Sequence, residues 1–510
     1  MSAFQYFGHA LATIFTTPQY LFFMLLFTAL GILLGALPGI NVNLSLILVL
    51  PLTYAMQTES AMVVLLSCYI GALSGGLISA VALNIPGTSS SIATCFDGHP
   101  LAKQGKAGQA VGVGILTSFV GGSLSYALLL LLAPMMAKVA LKFGYWEYFA
   151  VSFFSITMII GIAGDDVFRG VLGAALGMAI AMTGSDPVMM VNRYNFGFHA
   201  LDGGVTLTAL MCGIFAVPEL LKLAETRDDP DVEVTKLEKF RGFGISAKDY
   251  LSRWKNILRS TVIGTYTGIL PGIGASSASL LSYMTAKNSS KHPETFGTGD
   301  IDGIIASETA NNACMGGAMI PMLALGVPGS SAAAILMSAL SLHNVQPGPL
   351  VFANSANLIY FIFAICFVVN FFMLVLERGV LTGYLKALTA PPRIVMVIVM
   401  LMCVCGAYSS RSSFLDLYVF AIFGTLGFFL QKGGIPAGPI ILGYILSSLC
   451  ELNFVRAYAI SRGNVMAVFH RPIAAVFMVV AILSLANSVR KTIKADKARK
   501  AAETDLASNG

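Results

Sequence analysis

The sequence has few charged residues for its length. Only 11% of its 510 residues are charged and 56% are hydrophobic, and its mean hydropathy is +0.79. A soluble domain carries about 25% charged residues. The composition therefore excludes an ordinary soluble protein and places the chain in a lipid bilayer. Apolar stretches that suit membrane helices of roughly 20 residues recur between Tyr20 and Val489, and we expect ten to twelve crossings.

Basic residues are missing from the start of the chain. The first 102 residues contain neither Lys nor Arg. A cleavable signal peptide needs a basic n-region, so we expect the first transmembrane helices to direct insertion. Basic residues follow the last apolar run instead, and the positive-inside rule then predicts a cytoplasmic C-terminus. We interpret this tail as a solvated segment and expect no nucleic-acid partner. Its basic residues are Arg490, Lys491, Lys494, Lys497, Arg499 and Lys500.

Metal-ligand patterns are also absent from the sequence. The eight cysteines are scattered, mostly in apolar runs, and form no CxxC pair. They are typical of small buried apolar residues. The six histidines show no ligand spacing either. The sequence therefore predicts no metal centre and no cofactor.

Each half of the chain contains two Pro-Gly interruptions of its apolar stretches, and the two sets match in order. Pro271 follows Pro38 by 233 residues, and Pro328 follows Pro86 by 242 residues. Within a bilayer such breaks are tolerated only where protein or a water-filled cavity satisfies the freed backbone groups. Two ordered pairs of motifs are a strong indication of a duplicated unit.

A double glycine lies between the two breaks of each half. It occupies residues 75–76 in the first half and 316–317 in the second, at an offset of 241. We therefore divide the chain into repeats joined by a polar linker. The predicted segments are a first repeat at 1–223, a linker with a short amphipathic helix at 224–256, a second repeat at 257–489, and the basic cytoplasmic tail at 490–510.

The placement of basic loops suggests that the two copies are inverted. In the first copy Lys103 and Lys106 follow the second break, whereas in the second copy Lys287 and Lys291 lie between the breaks. The equivalent loop of the other copy lacks Lys and Arg in both cases. If basic loops are cytoplasmic, equivalent loops face opposite sides. The predicted fold is an all-α polytopic membrane protein of about ten to twelve transmembrane helices, with re-entrant or broken hairpins, in two inverted repeats.

Small hydroxyl or amide residues follow every break. A helix that starts after a proline leaves backbone N–H groups unpaired at its first turn, and neighbouring hydroxyls add donors. Each helix N-terminus contributes about 0.3–1 kcal/mol towards an anion near the surface and up to about 2 kcal/mol when partly buried. Several such termini around one cavity are suited to a carboxylate. The residues are Asn41, Asn43, Ser45, Thr88, Ser89, Ser90, Ser91, Ser276, Ser277, Ser279, Ser330 and Ser331.

Cationic side chains are absent around these breaks. No Lys or Arg precedes Lys103, and none occurs from His292 to Glu377. A multiply charged anion in the membrane therefore needs a co-bound cation in addition to helix dipoles. This favours coupling to Na⁺ or H⁺, and carbonyl and side-chain oxygens near a helix break are typical ligands for such an ion.

Glu308 is a candidate for binding the cation. A carboxylate in a spanning segment costs about 2.5–3.5 kcal/mol on insertion scales and is a functional candidate by default. Asn311 and Asn312 are three and four residues further on, so they share its helix face. The alternative is that Glu308 is a first-turn residue near the membrane surface. Asn84 likewise has two interpretations, a substrate ligand or a helix cap.

Five segments taken in order give the chain a specific resemblance. GALPGINVNL, LNIPGTSSSIATCFDGHPLAKQGKAGQA, ILPGIGASSA, SETANNA and LGVPGSSAAAIL resemble the large membrane subunit of the tripartite tricarboxylate transporters, the TctA family. The resemblance covers nearly the whole chain. It implies uptake of tri- or dicarboxylates across a bacterial inner membrane, driven by a cation gradient. It also implies two protein partners, a periplasmic TctC-like solute-binding protein and a small four-helix TctB-like membrane subunit.

The breaks and this resemblance together give the candidate sites. We predict cation binding at Glu308, Asn311 and Asn312. The predicted substrate-binding residues are Asn41, Asn43, Asn84, Pro86, Gly87, Thr88, Ser89, Ser90, Gly272, Ser276, Ser277, Pro328, Gly329, Ser330 and Ser331.

Other functions fit the sequence less well. A stand-alone carboxylate transporter without a binding protein is the main alternative. An intramembrane enzyme would need a catalytic pair or a metal cluster, and the sequence has neither at a convincing spacing. A channel would need a charged pore ring. We therefore expect a transporter that is not an enzyme and that moves its hairpins as one body past a static scaffold.

Overall fold

The fold is almost entirely α-helical. The computed structural model describes residues 3–162, 167–186, 188–225, 242–381, 383–384, 392–409 and 411–508. Within these ranges the β-structure is one antiparallel pair of two-residue strands, β1 (Gly184–Ser185) and β2 (Asn192–Arg193). The predicted all-α class is confirmed.

Several helices are long and apolar enough to cross a membrane. Seven meet this criterion in the described ranges, and shorter apolar helices lie between them. The chain is therefore a polytopic membrane protein, while the count of ten to twelve crossings stays a prediction. The seven are Pro18–Ala36, Thr58–Leu83, Ser89–Ala140, Ala356–Gly379, Phe414–Lys432, Ala437–Ile460 and Pro472–Arg490.

The first half of the chain contains ten α-helices in its described residues. Short 3-10 and π-helical turns join several of them, at Ser89–Ser91, Ala102–Lys106 and Cys212–Ala216. The α-helices are α1 (Ala3–Thr16), α2 (Pro18–Ala36), α3 (Val42–Val49), α4 (Thr58–Leu83), α5 (Ile92–Leu101), α6 (Ala107–Ala140), α7 (Tyr145–Ile162), α8 (Val167–Ala181), α9 (Leu207–Met211) and α10 (Val217–Glu225).

The second half follows the same alternation of long and short helices. Its described α-helices are α11 (Ala247–Ser252), α12 (Trp254–Ile269), α13 (Gly274–Ser289), α14 (Ile301–Leu325), α15 (Ser331–Leu342), α16 (Val351–Asn354), α17 (Ala356–Gly379), α18 (Pro392–Ser409), α19 (Phe414–Lys432), α20 (Ala437–Ile460) and α21 (Pro472–Ser508).

Each of the four predicted Pro-Gly breaks separates two helices. The first lies between α2 and α3, the second between α4 and α5, the third between α12 and α13, and the fourth between α14 and α15. The helix that follows a break is short: α3 has 8 residues and α15 has 12. At 1.5 Å per residue these span about 12 and 18 Å, less than the hydrocarbon core. The broken hairpins are therefore confirmed.

Equivalent contacts in the two halves show the duplication in three dimensions. α2 approaches α4 at Gly35, where a Cβ would overlap the backbone of Ala72, and α12 approaches α14 at Gly268, where a Cβ would overlap the carbonyl of Cys314. Gly268 follows Gly35 by 233 residues, and Cys314 follows Ala72 by 242. These are the offsets of the paired prolines, so the helices around the breaks pack in the same register in both copies.

The same register corrects the alignment of the double glycines. Gly75 packs against the backbone of Ile32, and Gly317 packs against the backbone of Thr265. Gly317 therefore corresponds to Gly75 at an offset of 242. Gly316 lies against Ser125 of α6 instead. The predicted offset of 241 was one residue short, because helix packing rather than the glycine pattern sets the register.

The half-helices after the breaks pair between the two copies. α3 packs against α15, and α13 packs against α5. Each pair joins the first break of one copy to the second break of the other, as a two-fold relation requires. Lys103 follows α5, and Lys287 lies in the last turn of α13. Both basic loops thus extend from the same pair of half-helices, which is the arrangement expected of inverted copies.

The structure describes parts of the predicted linker and of the predicted tail. Residues 226–241 of the linker lie outside the described residues. The expected short helix is α11, and α12 begins at Trp254, two residues before the predicted end of the linker. α21 runs from Pro472 to Ser508, so its backbone stays helical through most of the predicted tail.

Candidate functional site

The four breaks surround one cavity of about 210 Å³, here called the central cavity. Residues from the start of each short helix line it, so a pattern spread over 290 residues of sequence becomes one site. The predicted substrate residues among its lining are Asn41, Asn43, Thr88, Ser89, Ser90, Gly272, Ser276, Ser330 and Ser331.

Hydrogen bonds join breaks that are distant in sequence. The Ser276 hydroxyl donates to the Ser89 hydroxyl over 2.9 Å. The backbone N–H of Gly272 donates to the carbonyl of Gly329 over 3.0 Å. The first contact links the two copies, and the second links both breaks of the second copy. Hydrogen bonds therefore connect the wall of the cavity both between the copies and within the second copy.

Two of the predicted polar residues cap the helices that begin here. The side-chain oxygen of Asn41 accepts the N–H of Leu44 over 2.9 Å, and the Ser330 hydroxyl oxygen accepts the N–H of Ala333 over 3.2 Å. N-capping satisfies one of the unpaired donors of a first turn. The Asn41 amide keeps its hydrogens for a ligand, whereas the Ser330 hydroxyl also forms a hydrogen bond with the Tyr69 hydroxyl, which lines the same cavity.

A cluster of hydroxyls forms the second break. Thr88 Oγ1 lies 3.0 Å from Ser90 Oγ and 3.1 Å from Ser91 Oγ. Thr88, Ser90 and Ser91 are buried, whereas Ser89 is exposed. Because the buried three share hydrogen bonds, Ser89 is the member of this group that is free to contact a solute.

The lining of the central cavity carries no charge among the described residues. α3, α13 and α15 all begin at the cavity, so their unpaired N–H groups and the positive ends of their dipoles meet there. Backbone amides and hydroxyl donors are the groups that bind an anion at a helix N-terminus. The cavity is thus suited to a small anion that has oxygen acceptors.

Six predicted residues do not line the cavity: Asn84, Pro86, Gly87, Ser277, Pro328 and Gly329. Asn84 is exposed and is the left-handed C-cap of α4, with φ of 57°. Its role as a cap is the interpretation that the structure favours. A Cβ on Gly87 would overlap the Gly35 carbonyl, and one on Gly329 would overlap the Gly268 carbonyl. These two glycines allow the second break of each copy to pack tightly against α2 or α12, the helix that precedes the first break of the same copy.

Sequence reasoning missed two helices that contribute to the cavity. α4 contributes Tyr69 and Leu73, and α20 contributes Gly438, Pro439 and Leu442. The α4 residues lie inside a uniformly apolar run and gave no signal. The segment GGIPAGP at 433–439 is rich in Gly and Pro, as the four breaks are, and could have indicated the second helix.

Glu308 is fully buried in the interior of α14. Its carboxylate accepts hydrogen bonds from Thr94 Oγ1 at 2.5 Å, Ser118 Oγ at 3.1 Å and Asn311 Nδ2 at 3.3 Å. The alternative of a first-turn residue at the surface is wrong. Asn312 donates to the backbone carbonyl of Glu308 instead, over 3.1 Å. The contacts to the carboxylate therefore include Asn311 but not Asn312.

The backbone carbonyl of Leu73 connects the central cavity to Glu308 and the three side chains that contact its carboxylate, here called the Glu308 cluster. Asn311 Nδ2 also donates to the carbonyl of Leu73 over 3.3 Å, and Leu73 lines the cavity. The other side-chain atom, Asn311 Oδ1, is buried without a partner among the described residues. An unsatisfied oxygen beside a buried carboxylate suits a small cation.

A second buried carboxylate, Glu377, was not among the predicted site residues. It is fully buried on α17, and Ser74 Oγ donates to its Oε2 over 2.7 Å. Its Oε1 has no partner in the described part of the chain. In sequence Glu377 precedes Arg378 at the end of an apolar run, as a residue at a membrane surface would, so the sequence gave no sign of its burial.

Comparison with known proteins identifies the family. The family model of the tripartite tricarboxylate transporter TctA family matches residues 21–442, which contain all four breaks and the Glu308 cluster. The chain belongs to the TctA family. The resemblance inferred from the five motifs is thereby confirmed.

Two proteins of Agrobacterium vitis are similar to this TctA-family chain. An uncharacterized 52.8 kDa protein in the TAR-I ttuC' 3'region is 33% identical over 476 residues, covering 93% of this chain and 94% of the relative. An uncharacterized protein in the TAR-II ttuC' 3'region is 35% identical over 231 residues, covering 44% of this chain and 96% of the relative. No solved structure matches the chain.

Proposed function

We propose that this chain is the translocating subunit of a binding-protein-dependent secondary transporter that imports tri- or dicarboxylates across a bacterial inner membrane. Its family is one of tripartite tricarboxylate transporters, which supports a solute-binding protein and a small membrane subunit as partners. The observation that carries the proposal is the meeting of four helix breaks at one uncharged, hydroxyl-lined cavity. Helix N-termini and hydroxyl donors there bind the substrate carboxylates.

A cation bound near Glu308 couples uptake to a gradient in this proposal. The Glu308 carboxylate and the unpartnered oxygen of Asn311 supply the ligands. Among the described residues no basic side chain pairs with Glu308, so a bound Na⁺ or a proton supplies the compensating charge that a buried carboxylate needs. The hydrogen bond from Asn311 to Leu73 gives the cation a connection to the substrate cavity.

Movement in this proposal is of the elevator type. α7, α8, α20 and α21 pack on one another, while α2, α4, α6, α12 and α14 pack in a second group. α15 packs on α14 of the second group and meets the first group at the cavity, where a Cβ on Gly438 of α20 would lie 3.6 Å from Ser331 Oγ of α15. Sliding of the group that carries the breaks past the other group would expose the cavity to each side in turn.

Uptake into proteoliposomes tests the proposed function. Labelled citrate and C4-dicarboxylates are supplied with and without a binding protein, under separately imposed Na⁺ and H⁺ gradients. We expect uptake that requires the binding protein and one of the two gradients. Uptake without the binding protein would identify a stand-alone transporter. Absence of uptake for every carboxylate, partner and gradient would reject the proposal, and turnover of a substrate without transport would favour an enzyme.

A further inference from the structure

A second cavity lies beside the central cavity along the same two helices. This side cavity has a volume of about 570 Å³, within the range of about 300–1,000 Å³ that is common for ligand sites. α15 contributes Ser331 to the central cavity and Ser341 to the side cavity, and α20 contributes Leu442 to the first and Tyr444 to the second. Ser331 and Ser341 are about 15 Å apart along α15.

Arg411 gives the side cavity a positive charge. Of the residues that line the two cavities, it is the one charged side chain. Its Nη1 donates to the carbonyl of Gly204 over 3.1 Å, which orients the guanidinium and accounts for one of its five N–H donors. No carboxylate forms an ion pair with Arg411 within the described ranges.

Arg193 provides a comparison for Arg411, because it forms ion pairs with acidic side chains. Arg193 pairs with Asp186 at 2.9 Å and with Glu451 at 2.5 Å, so two carboxylates compensate its charge. Asp416, the acidic residue closest to Arg411 in sequence, is buried, accepts a hydrogen bond from Thr206 over 2.5 Å and does not line the side cavity. The positive charge of Arg411 is therefore not compensated locally.

We propose that the side cavity is a second carboxylate-binding site, where Arg411 holds the substrate before it reaches the central cavity. The inference depends on the proposed function. An arginine can bind a carboxylate through two parallel hydrogen bonds, and an uncompensated positive charge in a cleft raises the local concentration of anions. The loop at 341–349 borders this cavity and has no charged residue. By the positive-inside rule it faces away from the cytoplasm, the side from which an imported anion arrives.

Counterflow in proteoliposomes tests this site, with the binding protein and labelled carboxylate outside and unlabelled carboxylate inside. Arg411→Gln should raise the KM about tenfold or more and leave kcat near wild type, and it should abolish the rise of KM with ionic strength. Arg411→Lys keeps the charge and should retain most of the affinity. The matched control is Arg462→Gln, because Arg462 is exposed beyond the end of α20 and lines neither cavity; it should behave as wild type.

A second pair of variants keeps the test valid if Arg411→Gln does not fold. Gln346 is exposed and also lines the side cavity. Gln346→Glu should raise the KM and Gln346→Lys should lower it. Wild-type KM and salt dependence in the Arg411 and Gln346 variants would overturn the inference while leaving the proposed function intact. Failure of the wild-type protein to exchange any carboxylate would instead count against the proposed function, and the inference would fall with it.

Discussion

The Ser276 hydroxyl donates to the Ser89 hydroxyl over 2.9 Å, although 187 residues separate the two serines in sequence. Each serine belongs to the start of a short helix that follows a Pro-Gly break, one in each copy of the duplicated unit. The contact shows that the central cavity is shared between the copies, since neither copy alone could form it. Changes at either serine therefore test the proposed substrate site.

Replacing a hydroxyl that lines the central cavity should weaken substrate binding. Ser89→Leu and Ser330→Leu each remove a donor and obstruct a helix N-terminus. A hydrogen bond to a charged group contributes about 1.5–3 kcal/mol, so we expect a loss of affinity of about 10- to 150-fold. Thr425→Leu is the control, because Thr425 is exposed on α19 and bonds only within its own helix. Equilibrium binding to the purified protein measures the effect, and unchanged affinity in both serine variants would exclude the hydroxyl site.

Removing the charge of Glu308 should change the response to the driving ion more than the affinity for substrate. Glu308→Gln preserves the shape of the side chain and can still accept from Thr94, but it lacks the charge that binds a cation. We expect uptake that no longer depends on the Na⁺ or H⁺ gradient. Glu294→Gln, in an exposed loop, is the control. Wild-type dependence on Na⁺ concentration and pH in Glu308→Gln would remove Glu308 from the cation site.

The contact between Ser74 and Glu377 should stabilise the fold. Ser74→Ala leaves Glu377 without its described partner and should lower the free energy of unfolding by about 1–3 kcal/mol. Adding Glu377→Leu should recover part of the loss, because the unpaired carboxylate is then gone. Ser67→Ala on the same helix removes a buried hydroxyl that has no partner in the described residues, and it should be nearly neutral. Thermal unfolding in detergent compares the variants; equal melting temperatures for Ser74→Ala and Ser67→Ala would contradict the prediction.

Joining the two helix groups should stop transport if they move past each other. Ser331→Cys with Gly438→Cys places two thiols at their contact, and Cys405→Ser removes the exposed native cysteine. We expect oxidation to abolish counterflow and reduction to restore it, which separates the effect of the crosslink from that of the substitutions. Full transport by completely crosslinked protein would argue against an elevator.

Many residues that line the central cavity could be predicted, because the pattern that marks them involves only a few neighbouring positions in the sequence. Proline and glycine end a helix wherever they occur in it, so the four breaks and the small polar residues after them could be read from the sequence. The offsets of 233 and 242 residues between the copies also relate the packing contact of Gly35 to that of Gly268. Asn84, Gly87 and Gly329 share the local pattern but serve as a cap and as close-packing positions.

The sequence by itself determined the membrane class, the breaks and the duplication, because composition and chain-breaking residues act over a few neighbouring positions. Only the tertiary structure decided which polar residues face the cavity, that Asn311 rather than Asn312 contacts the Glu308 carboxylate, and that Glu377 is buried. These outcomes depend on how one helix is rotated and shifted against another. A shift of one residue turns a helical side chain by about 100°, and only the packing of the whole chain fixes that rotation.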